Sequence, residues 1–178
     1  TQGFEFIHKN KNFENLFNEI KMRVWSYLKC IEIDDKLIDI YIQRSWATIS
    51  EGNERIKKHR HFQSHISFAY YLKKNEEDSN IVFYEEHFQN EFIPGLFTSP
   101  TLKNKGLIRE INLFNAPKVD IKVEEDDIVI FPSKAMHGTQ HNKTNNERIS
   151  ISGDVVCVSK DSSLLENMLP PLDSWDRM

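Results

Sequence analysis

The sequence predicts a mainly β protein with flanking helices, built as an antiparallel sandwich or barrel of the jelly-roll type. Three observations support this prediction. One amphipathic helical segment lies near the N-terminus, and about seven or eight short segments rich in β-branched and aromatic residues follow it. Clusters of Asn, Gly, Pro and charged residues separate these short segments, as turns do.

Residues 13–30 form the predicted helix. Their apolar side chains recur every three or four positions, which places them on one helix face. From residue 37 onward the pattern becomes typical of strands. The predicted strands are 41–49, 66–72, 81–85, 107–114, 119–123, 127–131 and 149–158.

A chain of 178 residues can bury the core of one domain. We therefore expect a single domain over 1–178, with a helical part at 1–40, a jelly-roll core at 41–158 and a tail at 159–178. Residues 86–106 lack periodicity and form a long connection, which is typical of a lid or binding loop. In the tail, the pattern indicates a short helix. The tail either docks through its apolar residues or is loose; these residues are Leu164, Leu165, Met168 and Trp175.

Composition narrows the classes of partner. A net charge of -4 argues against a nucleic-acid footprint over the whole surface, although residues 55–61 form a local basic patch. The sequence contains no apolar run that could span a bilayer and no signal-peptide pattern, so no membrane partner is expected.

Two distant cysteines predict free thiols in a reducing, cytoplasmic setting. The many Asn, Lys and Ile residues indicate an AT-rich genome, such as a viral one. Edge strands and the N-terminal helix are candidate surfaces for a homodimer.

Three histidines form a candidate metal site. His59 and His61 alternate along an extended segment, so both side chains point to the same side. In isolation such a pair in a basic stretch is more often solvated surface or a phosphate contact. His137 could supply a third ligand once the barrel closes. Three protein ligands would leave coordination positions for a bidentate co-substrate and for O2.

A candidate carboxylate-binding group follows. Arg148 and Ser150 open a strand after His137, and a guanidinium can grip a carboxylate in a bidentate fork. We expect the strand before His137 and the strand of Arg148 to pair antiparallel. Tyr71 is the favoured inward-facing phenol in the strand 66–72. The competing interpretations are an edge arginine paired with Glu147 or Asp126, and ordinary aromatic packing for the tyrosine.

For the other titratable residues, the sequence gives weaker evidence of a role in this site. Glu85 ends a predicted strand and is interpreted as an alternative metal ligand, a substrate contact or a solvated acid. We expect His65 to line the pocket or to be structural, and His87 and His141 to be exposed. His8 has no predicted role.

Taken together, these motifs resemble the iron(II)- and 2-oxoglutarate-dependent oxygenases, in particular a group related to prolyl-4-hydroxylase-like enzymes. The resemblance lies in SWATI (45–49), HRH with SFAYYL (59–61 and 67–72), IVFYEE (81–86), and DDIVIFPSKAMHG with ERISIS (126–138 and 147–152). It implies a double-stranded β-helix that encloses iron. It also implies ligands at His59 and His137, and a 2-oxoglutarate site at Arg148 and Ser150. The chain has His61 where this family carries an aspartate, so the third ligand is His61, Glu85 or water.

The resemblance implies a dioxygenase, and we expect a hydroxylase that uses Fe(II), 2-oxoglutarate and O2. Its unknown substrate would contact residues 86–106, Trp46 and the strand around residues 66–68. Two alternatives remain at this point. A cupin-type metalloprotein would bind metal without 2-oxoglutarate, and a catalytically silent binding module would keep only the fold.

Overall fold

A computed structural model describes residues 3–161 and 166–178 of the chain. Two 3-10 turns, Ile7–Lys9 and Lys11–Phe13, lead into helix α1 (Glu14–Cys30). A short helix α2 (Pro100–Asn104) lies in the long central connection, and a 3-10 turn (Leu172–Ser174) lies near the end. The described strands are β1 (Ile38–Ser50), β2 (Ile66–Lys73), β3 (Ile81–Tyr84), β4 (Lys118–Ile121), β5 (Ile128–Pro132), β6 (His137–Thr139) and β7 (Arg148–Ser159).

The strands form two antiparallel sheets. The larger sheet has the order β1-β7-β2-β5, and the smaller sheet has the order β4-β3-β6. The extended segment before β2 extends the smaller sheet, because His59 and His137 exchange backbone hydrogen bonds of 2.8 and 2.9 Å. Strands that are consecutive in the chain alternate between the two sheets at several points. This arrangement confirms the mainly β, jelly-roll prediction.

Helix α1 covers the outer face of the larger sheet. Its buried residues Phe17, Ile20, Val24 and Leu28 recur at helical spacing, as the sequence predicts. Phe17 meets Phe68 of β2 edge to face, with ring centroids 6.3 Å apart. One hydrophobic core therefore lies between α1 and the larger sheet.

A second, smaller core lies between the two sheets. Side chains of β2 alternate, so that Phe68 packs toward α1 whereas Ala69 and Tyr71 pack toward Ile81 and Phe131. A cavity adjoins this second core, and both sheets line it. The fold thus uses one face of the larger sheet for stability and leaves the other face for a site.

A β-bulge changes the direction of side chains within β1. The pairing with β7 runs from Ile42 with Val155 directly to Arg44 with Asp154, so Gln43 is the extra residue. Ile42 consequently packs with the α1 core, whereas Trp46, two residues beyond Arg44, lines the cavity.

The predicted strand at 107–114 is wrong. Asn112 accepts a hydrogen bond from the backbone N–H of Phe114 through its side chain, and its carbonyl accepts one from Ala116. Such asparagine-centred turns compete with strand formation. Leu113 and Phe114 are exposed, so the apolar residues that suggested a strand do not form a sheet face.

The predicted pairing of the strand before His137 with the strand of Arg148 is also wrong. β5 and β7 both pair with β2, on its opposite edges, whereas His137 lies in β6 of the smaller sheet. Strand β6 passes close to the backbone at Ile56, and this close approach requires glycine at position 138. A β-carbon on Gly138 would lie only 2.9 Å from the carbonyl oxygen of Ile56. The imidazole and the guanidinium therefore face each other from different sheets.

The C-terminal segment attaches to the larger sheet by its backbone. Ser159 donates to the carbonyl of Leu169 over 2.8 Å, and Met168 packs against the α1 core. Trp175 does not dock as expected; it is half exposed and donates to the carbonyl of Pro170. Leu164 and Leu165 lie outside the described residues. In the part of the chain that the structure describes, no helix has the length and apolar composition to cross a bilayer.

Replacement of Phe17 by alanine should lower the free energy of unfolding by about 3–5 kcal/mol, because it leaves a cavity between α1 and β2. Denaturant titration followed by circular dichroism measures this change. Phe62 is 85% exposed and provides a matched control, since Phe62→Ala should stay within about 0.5 kcal/mol of the wild type. Equal stability of the two variants would contradict the assigned core.

Candidate metal centre

Three histidines from two segments meet at one end of the cavity. His59 and His61 lie on the extended segment before β2, and His137 opens β6. One nitrogen from each ring lies within 4.8 Å of the other two. His61 and His137 are buried and His59 is half-buried, so the cluster is largely shielded from solvent.

Each ring uses its Nδ1 atom for a second contact. Nδ1 of His59 lies 2.8 Å from the carbonyl oxygen of Lys57, and Nδ1 of His137 lies 2.9 Å from that of Ala135. A carbonyl only accepts hydrogen bonds, so both Nδ1 atoms carry the proton. The Nε2 lone pairs of these rings are then available to a metal, in the arrangement typical of metal-binding histidines.

His61 has a carboxylate behind it. Its Nδ1 lies 2.5 Å from Oδ1 of Asp154, a fully buried side chain on β7. Ser67 also donates to Oδ1, over 2.8 Å, and Arg44 donates to Oδ2 over 2.7 Å. Burial alone would raise the pKa of Asp154, but the hydrogen bond from His61 and the other donors outweigh burial and lower it. Asp154 therefore carries negative charge beside the cluster.

Sequence reasoning missed Asp154. A signal for it exists, because it is the one acidic residue within the otherwise apolar and small-residue segment 149–158. A charged residue in a buried strand requires a partner, which itself indicates a site.

Burial lowers the pKa of His137 to about 4, and the neighbouring His59 and His61 act in the same direction. The imidazole is therefore neutral at physiological pH. A neutral imidazole is the form that binds a metal ion.

The cavity extends from the histidines between the sheets and has a volume of about 180 Å³. This space corresponds to roughly six water molecules, so it suits a small molecule. Arg148, Ser150 and Tyr71 line it, and Trp46 lies beside His61 with ring centroids 5.8 Å apart. The structure thus brings the predicted arginine group and the predicted histidines into one cavity.

Arg148 is a buried cation without a carboxylate partner among the described residues. Only 1% of its surface is exposed. One guanidinium nitrogen donates to the carbonyl of Ser79 over 2.9 Å, and Nε has no hydrogen-bond partner. Glu147 pairs instead with Lys73. Burial lowers the pKa of Arg148, and the attraction of Tyr71 and of Asp78, which makes no ion-pair contact with it, only partly offsets this effect.

The two tyrosines of β2 face opposite sides, as predicted. Tyr71 is buried, and its ring centroid lies 5.8 Å from the guanidinium carbon of Arg148. Burial raises the pKa of Tyr71 to about 12, so its hydroxyl stays protonated and can donate a hydrogen bond. Tyr70 points outward and donates to Asp126.

Glu85 lies outside the histidine cluster. Its exposed carboxylate accepts hydrogen bonds from the backbone N–H groups of Glu86 and His87. It caps the end of β3 in this position and is not brought to the metal centre.

The remaining histidines have structural contacts or are exposed. Nδ1 of His65 accepts from the backbone N–H of Cys157 over 2.9 Å, which is a structural role. His87 and His141 are exposed, as expected. His8 lies 2.7 Å from the hydroxyl of Ser45 and ties the N-terminal turn to β1.

A second and larger depression, with a volume of about 930 Å³, lies beside the histidine cluster. Its lining includes Ala135 and Met136, which directly precede the ligand candidate His137 in the chain. It also includes Arg60, which lies between His59 and His61 in the chain. Leu113 and Phe114 of the long central connection form part of its wall. We call this depression the outer groove.

Comparison with protein families gives one match. Residues 44–154, more than half of the chain, match the model of a family described as "Putative 2OG-Fe(II) oxygenase". A comparison with curated protein sequences found no significant match.

Several solved structures are similar to the chain. An oxidoreductase of the 2OG-Fe(II) oxygenase family from Burkholderia pseudomallei has 12% identity and a TM-score of 0.46, over 66% of this chain and 45% of that one. AviO1 from Streptomyces viridochromogenes Tue57 has 13% identity and a TM-score of 0.45, over 74% and 53%. HygX from Streptomyces hygroscopicus, with nickel and 2-oxoglutarate bound, has 13% identity and a TM-score of 0.43, over 66% and 56%. This chain spans about half of the length of each of these proteins.

Replacement of His137 by alanine should weaken the binding of a divalent metal by at least about tenfold, because the cluster loses one of its three nitrogens. Anaerobic calorimetric titration with Fe(II) measures this affinity. His141→Ala is the control, since that exposed imidazole lies outside the cluster. Wild-type affinity in His137→Ala would exclude the three histidines as the metal site.

Proposed function

We propose that this chain, which belongs to the 2OG-Fe(II) oxygenase family, is a hydroxylase that acts on a C–H bond of its substrate. The observation that carries the proposal is the shared cavity. A three-histidine cluster lies at one end of it, and a buried guanidinium that no carboxylate of the described residues contacts lines it. A molecule with one metal-chelating end and one carboxylate end would satisfy both, and 2-oxoglutarate has this form.

The residues present suit Fe(II). Imidazole nitrogens are common ligands of iron, and the Nδ1 contacts orient the Nε2 atoms of His59 and His137 toward one point. In the proposed site His59, His61 and His137 hold the metal. When bound, iron together with 2-oxoglutarate and O2 supplies the oxidising chemistry.

Arg148, Ser150 and Tyr71 would hold the distal carboxylate of 2-oxoglutarate. The guanidinium Nε lacks a hydrogen-bond partner within the part of the chain that is described, and all three side chains are buried and line the cavity. A carboxylate at this position would balance the buried charge and accept their hydrogen bonds. A cupin-type protein that acts without 2-oxoglutarate would have no role for the buried Arg148.

The outer groove would bind the primary substrate. The inner cavity of about 180 Å³ is filled by a molecule of the size of the co-substrate, whereas the outer groove is about five times larger. Its lining residues adjoin all three proposed ligands in the chain. Of the substrate contacts predicted from the sequence, residues 86–90 of the loop 86–106 line the outer groove, whereas Trp46 and Phe68 line the inner cavity.

Arg148→Ala should weaken 2-oxoglutarate binding by at least about tenfold, because a charge-assisted pair contributes roughly 1.5–3 kcal/mol. Fe(II) affinity should stay at the wild-type value, since Arg148 belongs to no metal contact. An anaerobic titration with Fe(II) and then 2-oxoglutarate measures both, through the visible charge-transfer band of a chelated keto acid.

The exposed Arg109 provides the matched control. Arg109→Ala should reproduce the wild-type titration in both steps. A band of wild-type intensity at the same 2-oxoglutarate concentration in Arg148→Ala would refute the assignment of the carboxylate site. A wild-type protein that binds iron but gives no band would refute the use of 2-oxoglutarate altogether.

Leu113→Asp should raise the KM for the primary substrate while 2-oxoglutarate binding is retained, because the new charge lies in the outer groove and not in the inner cavity. Substrates are identified by the acceleration of succinate formation in a screen of candidate compounds. Leu107→Asp is the control, since this exposed residue lies outside the groove lining. Equal KM values for all three proteins would exclude the outer groove.

A further inference from the structure

The geometry points to Asp154 as a positioning residue that acts on the metal centre through His61. This inference rests on the proposed metal site and adds a residue to it. It assigns the negative charge of the centre to a carboxylate that contacts a ligand and does not itself ligate.

Asp154 supplies negative charge where the cluster itself has none. Three neutral imidazoles leave the charge of a divalent metal ion unbalanced within a mostly buried cavity. No carboxylate of the described residues joins the cluster, and Glu85 is held at the surface by backbone groups. Asp154 is the carboxylate in contact with a cluster ring, 2.5 Å from Nδ1 of His61. A carboxylate on the far nitrogen of an imidazole makes the near nitrogen a stronger ligand.

The position of Asp154 is fixed by its neighbours in the sheet. It lies on β7 opposite Arg44 of β1 and Ser67 of β2, so both neighbouring strands hold its side chain. Oδ2 accepts from Arg44, whereas Oδ1 faces His61 and Ser67. Arg44 holds the carboxylate from outside the cluster, while the hydroxyl of Ser67 also lies 3.2 Å from Nδ1 of His61. A carboxylate held in this way fixes the rotation of the His61 ring about its bond to the chain.

An ion pair with Arg44 alone does not account for the position of Asp154. Arg44 has a second acceptor in Glu5, at 3.2 Å, and is partly exposed to solvent. A single carboxylate oxygen would satisfy Arg44, yet the other oxygen of Asp154 makes the shorter contact, to His61. The contact of Asp154 with His61 is therefore at least as close as its contact with Arg44.

The test compares Co(II) binding in four variants by titration and visible absorption. Asp154→Asn keeps an acceptor oxygen but removes the charge, and Asp154→Ala removes both. We expect both to lower Co(II) affinity by about 10–100-fold and to shift the ligand-field bands of bound Co(II). Arg44→Gln removes the partner of Oδ2, and Ser67→Ala removes a hydroxyl that contacts both Oδ1 and Nδ1 of His61. Both should lose less Co(II) affinity than Asp154→Asn, because the carboxylate still contacts His61.

Each outcome decides the question. Unchanged affinity and bands in Asp154→Asn would overturn the inference while leaving the metal site intact. A loss in Arg44→Gln as large as that in Asp154→Asn would show that the ion pair with Arg44, and not the contact with His61, matters for metal binding, and would also overturn the inference. Absence of Co(II) binding by the wild type would refute the metal site, and with it the proposed function.

A measurement on the wild type covers the case in which the Asp154 variants do not fold. In the Zn(II)-loaded protein, the proton on Nδ1 of His61 should give a strongly downfield NMR signal, because it lies in a short hydrogen bond to a carboxylate. The Nε2 resonance of the same ring should shift when Zn(II) binds. A metal-loaded protein without this downfield proton would overturn the inference.

Discussion

The two backbone hydrogen bonds between His59 and His137 determine the geometry of the whole site. They join the extended segment before β2 to β6 and so place candidate ligands that are far apart in sequence on adjacent strands. Backbone pairing also sets the direction in which each imidazole points, because side chains on directly opposed residues emerge on the same face. Carbonyl oxygens within two residues of each ring then fix its tautomer. Main-chain geometry therefore brings the residues of the candidate metal centre together.

The larger sheet separates the stabilising and the functional parts of the molecule. Along β7, Arg148, Ser150 and Asp154 face the cavity, while Ile151 and Val155 face α1. The same strand thus contacts the hydrophobic core on one side and the polar site on the other. Burial of the α1 core provides the free energy that keeps an arginine charge and a carboxylate in a poorly solvated interior.

Sequence patterns predicted the parts of this architecture that depend on local periodicity. The spacing of Phe17, Ile20 and Val24 gave the helix, and strand alternation gave the shared face of His59 and His61. The order of the strands within the two sheets could not be predicted in this way, because it depends on where the chain crosses from one sheet to the other after Pro132. The bulge at Gln43 cannot be predicted from the sequence either. It moves the even-numbered side chains of β1 from the α1 side of the sheet, before Gln43, to the cavity side after it. Asp154 was missed because its role depends on a partner 93 residues away.

The register of β7 has an evolutionary consequence. The cavity residues of this strand occupy even-numbered positions, and both edges of the strand are paired over residues 149–155. A one-residue shift of this register would turn the guanidinium, the serine and the buried aspartate toward α1 together, and would turn apolar side chains toward the cavity. The connection between β3 and β4 carries no comparable constraint, since most of it lies outside both sheets. Length variation among relatives of this chain should therefore accumulate in that connection, so that substrate preference can diverge while the chemistry at the centre is inherited unchanged.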